Sequence, residues 1–70
     1  MNEWKQIHTN GATTTFARIY EEATPRGSEW VFQKLAADQV DGSAEMFGEE
    51  RFGSREAADD RLREAVALAR

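Results

Sequence analysis

The sequence predicts an α+β fold, an antiparallel β-meander of three or four strands with one C-terminal α-helix packed on one face. Two observations carry this. Turn residues at Asn10-Gly11, Pro25-Arg26-Gly27 and Asp41-Gly42 separate runs rich in β-branched and aromatic residues. The final stretch, "SREAADDRLREAVALAR", instead repeats its apolar residues at helical spacing. With 70 residues and no cysteine, the chain is read as one small domain whose core holds without disulfide or thiolate-zinc support.

The elements follow in order. A first strand at about residues 4–9 and a second at about 12–22 flank Asn10-Gly11, two residues that accept the positive φ of a type I′ hairpin turn. Pro25 suits the second position of the next turn and Gly27 the fourth, which leads into a third strand at about 29–36. Asp41-Gly42 reverses the chain again into a fourth strand at about 44–52, where Gly48 marks a bulge. The helix is expected over about 55–69, with Ser54 as its N-cap and Ala57 in place of the glutamate of a full capping box. Glu56, Asp59 and Asp60 lie toward the positive end of its dipole, and Arg63 and Arg70 toward the negative end. Ala58, Leu62, Ala65, Val66 and Ala69 form one apolar stripe. The seventeen residues from Ser54 to Arg70, at about 1.5 Å each, would span roughly 25 Å, the length of about seven strand residues.

Strand side chains alternate between faces, so residue parity sorts them. Neither parity set is plainly polar in the second and third strands, although a sheet with one wet face should have one. The helix offers mostly methyl groups, and close packing asks for large side chains opposite. Phe16, Tyr20, Trp30 and Phe32 are therefore expected beneath it, with Arg18 and Lys34 at the margin. Ala17, Ile19, Val31, Gln33 and Leu35 would then form an uncovered face, the candidate partner-binding surface. Trp4 and Ile7 fall on opposite sides of the first strand.

Two other surfaces are candidates. Phe16, Arg18, Tyr20, Trp30, Phe32 and Lys34 interleave aromatic and basic residues in the manner of a base-stacking platform for single-stranded nucleic acid. Glu21, Glu22, Glu49 and Glu50 could together imitate nucleic-acid phosphate and occupy a basic groove of a partner, an attraction that salt would weaken.

Catalysis is not expected. His8 is the sole histidine, cysteine is absent, and no phosphate-cradling glycine loop or metalloprotease helix pattern occurs. No catalytic, cofactor-binding or metal-binding residues are assigned. The net charge of −4 gives no electrostatic footprint for double-stranded DNA or anionic lipid. That deficit lies within residues 1–53, since four arginines balance four acids from Ser54 onward. No apolar run approaches the roughly 20 residues a bilayer needs. The opening "MNEWKQIHTNG" lacks the basic-then-apolar order of a signal peptide, so a cytoplasmic location is expected.

Trp30, Phe32, Asp41-Gly42, Phe52, Ser54, Arg55 and Ala57-Ala58 trace a further pattern. A strand opening with tryptophan leads through a turn to a short strand, then to an aromatic, a serine and an alanine-containing helix. This pattern resembles the small YegP-like domains of unknown function, over about half the chain. The resemblance implies the fold outline and no catalytic residues. The turn-to-helix spacing is longer here, and the run through Gly48 departs from the pattern. A similar outline occurs in the arm-type DNA-binding domains of phage integrases, whose sheets are basic where this one is not. The expected function is that of a small non-catalytic binding protein, working through protein–protein contact or homodimerisation. An inhibitor or adaptor, such as a phage-borne antagonist of a host system, fits that outline by analogy.

Overall fold

A computed structural model describes residues 4–68. Strands β1 (Lys5–Asn10), β2 (Thr13–Thr24), β3 (Gly27–Asp38) and β4 (Ala44–Phe52) precede helix α1 (Arg55–Leu68). They pair antiparallel in the order β1-β2-β3-β4, and α1 packs on one face. This is the predicted α+β meander with four strands. Ala69 and Arg70, expected on the helix, lie outside the described residues.

Each turn fixes a register. Asn10 pairs with Thr13, so the first loop is Gly11-Ala12 rather than Asn10-Gly11. Gly11 has φ of 62° and only glycines adopt positive φ among the described residues, which rules out the type I′ turn expected there. A glycine followed by a residue of ordinary φ is the pattern of a type II′ turn. The second turn falls where Pro25 and Gly27 place it, with Thr24 paired to Gly27 and the Thr24 hydroxyl donating to the Gly27 carbonyl at 2.8 Å. The third loop winds around Asp38, whose Oδ1 accepts from the amides of Val40 (2.7 Å) and Asp41 (3.3 Å). Gln39 ties this loop to the first hairpin, its amide nitrogen bonding Ala12 O at 2.8 Å and its side chain donating to Thr14 at 2.7 Å.

The Thr24–Gly27 pair has a consequence for the whole sheet. Paired residues of β2 and β3 sum to 51, so odd residues of β2 share a face with even residues of β3. The equal-parity sorting is thereby corrected. Ala17 and Ile19 lie under the helix with Phe32, Phe52, Leu62 and Ala65, while Phe16 and Tyr20 lie on the opposite face. The helix presses Ala58 (0% exposed) and Ala65 (8%) onto the sheet, and such short side chains allow the close approach that buries Phe32 completely. Ser54 caps the helix as expected, its Oγ accepting from the Ala57 amide at 3.2 Å.

Two bulges re-aim side chains. The register of β1 shifts between Gln6 and His8, and the extra residue, Ile7, joins the core. In β4, Lys34 pairs with Gly48 but Leu35 pairs with Met46, so Phe47 is the extra residue, next to the glycine that signalled it. β1 pairs only with Thr13–Ala17 of β2, and β4 only with Trp30–Ala37 of β3. The end of the β2–β3 hairpin therefore projects as a ribbon along the long axis, 42 Å of a 42 × 23 × 19 Å molecule.

Candidate functional site

The face opposite the helix is built of cross-strand rows. Phe16 pairs with Leu35 and Leu35 with Met46, giving an apolar row across β2, β3 and β4. Phe16 and Leu35 are half-buried, and Met46 is 46% exposed. The row beyond it, toward the hairpin tip, runs Arg18–Gln33–Glu49. Gln33 is 5% exposed and joins the three strands: its Oε1 accepts from Arg18 Nε at 2.8 Å, and its Nε2 donates to Glu49 Oε1 at 2.8 Å and Tyr20 Oη at 3.3 Å. The burial of this amide is tolerated because its donor and acceptor are both used.

Arg18 is held from above as well. Its guanidinium carbon lies 4.3 Å from the Trp4 ring centroid and 4.8 Å from that of Tyr20, both within cation–π range. The next row is Tyr20–Val31–Arg51. Val31 is completely buried between those two long side chains, although no helix covers it. Arg51 Nη1 donates to Glu22 at 2.9 Å and Glu29 at 3.1 Å, and Nη2 lies 3.7 Å from Glu49. The Glu29 and then the Glu22 carboxylate bind the charged guanidinium and hold its pKa above the ordinary arginine value.

The tip half of the face is thus covered by its own polar side chains, while the half nearer the first hairpin keeps the partly exposed row Phe16, Leu35 and Met46. The expected face of Ala17, Ile19, Val31, Gln33 and Leu35 is not assembled. Ala17 and Ile19 are in the helix-side core, and only Val31, Gln33 and Leu35 share the open side.

The expected stacking platform is divided in the same way. Phe16, Arg18 and Tyr20 are on the open face, whereas Trp30, Phe32 and Lys34 are on the helix side. The acidic set is split and largely paired. Glu22 and Glu49 face Arg51, Glu50 accepts from Arg61 of α1 at 2.7 Å on the helix side, and Glu21 lies exposed on that same side. Strand alternation separates each adjacent acidic pair.

Trp4, Met46 and Arg51 belong to the open face and were not singled out from sequence. Arg51 comes to stand opposite Val31 only because the bulge at Phe47 shifts the register that leaves the third loop. Met46 lies on the loop side of that bulge, opposite Leu35 in the same register as the Ala37–Ala44 pair. Among the described residues no three His, Asp or Glu side chains converge as metal ligands, and no helix is long and apolar enough to cross a membrane. Comparison with protein-family models, with curated proteins and with solved structures returns no match.

Proposed function

We propose that this chain is a small non-catalytic binding protein that docks its open sheet face against another protein, with a second copy of itself as the partner. The observation that carries this reading is the partly exposed Phe16–Leu35–Met46 row lying beside the fixed Arg18–Gln33–Glu49 row.

These rows are self-complementary. A two-fold axis parallel to the strands and above β3 lays each row on its own copy with the ends exchanged. Phe16 then meets Met46 of the second copy, an aromatic–thioether contact. Arg18 meets Glu49 of the second copy, a charge pair that fixes the register of the two sheets. Closed two-fold pairing of one patch with itself is the commonest way identical chains associate. Face-to-face sheets packed about 10 Å apart bury such rows in a shared core.

Light scattering over a concentration series tests the reading. The mass of the wild-type chain rises toward that of two chains, and Leu35→Asp returns it to one. A protein that stays at the mass of one chain throughout contradicts self-docking. An inhibitor or adaptor role needs the same face for a different protein. It is distinguished by a monomeric chain that binds one partner at fixed stoichiometry and loses that partner on Leu35→Asp.

A further inference from the structure

On the other side of the sheet, a cavity of about 220 Å³ opens between α1 and all four strands. Its walls include Ile7, Phe47, Ala65 and Leu68, and two cations reach it, Lys34 from β3 and Arg61 from α1. Phe47 is 51% exposed and Leu68 75%, so the mouth is apolar.

The two cations are unequally satisfied. Arg61 Nε donates to Glu50 at 2.7 Å, and its guanidinium carbon lies 4.8 Å from the Phe32 ring centroid. Its Nη1 is nevertheless buried and has no hydrogen-bond partner among the described residues. Lys34 has no carboxylate within ion-pairing distance among the described residues. Its Nζ sits 5.0 Å from the Phe47 ring centroid.

The backbone is shaped to let Lys34 reach this place. Its stem lies across Gly48, where a Cβ would stand 2.9 Å from Lys34 Cε. Any other residue at 48 would push the chain aside. The bulge that makes room at Gly48 also turns Phe47 toward the cavity. Within a chain of net charge −4, this corner pairs the unused cationic charge of Lys34 with an apolar wall.

We infer that the cleft binds a small organic carboxylate with an apolar body. The carboxylate is met by the Lys34 ammonium, and the hydrocarbon lies against Ile7, Phe47 and Leu68. The carboxylate contributes charge-assisted hydrogen bonds and the body contributes burial, so neither part alone suffices.

The test is titration of the ¹⁵N-labelled full chain with sodium octanoate, followed through the amide signals of Phe47 and Leu68. Saturable shifts are expected with octanoate, with far weaker effects from acetate or from 1-octanol. Gly48→Ala, which displaces the Lys34 stem, and Lys34→Met, which keeps the stem and removes the charge, each weaken octanoate binding about tenfold or more at unchanged circular dichroism. The inference is overturned if octanoate causes no saturable shift, if octanol or acetate matches it, or if both variants bind as the wild type does.

Discussion

Phe16 on β2 stands directly opposite Leu35 on β3, on the side of the sheet away from the helix. Val31, four residues before Leu35 on the same strand and face, differs in one respect: it is completely buried beneath its neighbours, whereas Leu35 is not. Leu35→Asp is therefore expected to leave the monomer folded and to abolish self-association. Val31→Asp places an unpaired carboxylate in a sealed position, which costs more than about 3 kcal/mol and unfolds a domain of this size. Circular dichroism of the two variants makes the comparison. Two folded variants, or two unfolded ones, would contradict the burial described.

Gln33 is the joint of the open face, with Arg18, Tyr20 and Glu49 all bonded to its side chain. Gln33→Ala removes all three bonds at a buried position. A loss of about 1–3 kcal/mol is expected in urea unfolding, since the partners are left to whatever water can reach them. An unchanged midpoint would show that the network is incidental to the stability of the sheet.

The helix depends on its first turn. Ser54→Ala removes the acceptor for the Ala57 amide, and the expected cost is about 1 kcal/mol. For a chain this short that corresponds to a fall of about 4–8 °C in Tm. Ser54→Asp, which supplies another acceptor, should keep most of the stability; equal losses in both variants would argue against capping as the cause.

Asp41 lies in the loop before β4 and its Oδ1 accepts from the Ser43 amide at 2.8 Å. Hydrogen bonds from Ser43, the side chain's first, hold its carboxyl below the ordinary value of 3.8. The folded-state pKa is depressed, so this group favours the folded chain above the ordinary value. The contribution fades as pH falls through the folded-state value. A carbon-detected titration of the Asp41 carboxyl should show the depressed midpoint, and Ser43→Ala should move it upward. A midpoint unaffected by Ser43→Ala would contradict the assignment.

Much of the fold is legible in particular residues. Pro25 and Gly27 locate the central turn, Ser54 starts the helix, Gly48 marks the bulge, and alanines at helical spacing define the packed stripe. The faces are less legible, for a reason visible at one pair. Thr24 and Gly27, the outer positions of the expected turn, pair with each other, and an odd sum carries even residues of β2 onto the face of odd residues of β3. Treating parity as continuous across the turn put Tyr20 beneath the helix and Ile19 outside, the reverse of their positions. At the first hairpin the steric preference of Asn10 for positive φ was outweighed, because Gly11 alone supplies the left-handed residue the turn uses. The open face was harder still. It depends on a bulge at Phe47, which no alternation pattern locates to the residue, and on polar side chains long enough to cover Val31 themselves.

The self-complementary docking of the open face is tested most directly by exchanging its charges. Arg18→Glu leaves acids at both ends of the polar row, and Glu49→Arg leaves bases at both. Sedimentation velocity should find each variant monomeric alone, and an equimolar mixture should contain a heterodimer in which every facing pair is opposite in sign. Variants that self-associate as well as the wild type, or a mixture that stays monomeric while the wild type dimerises, would contradict the proposed pairing.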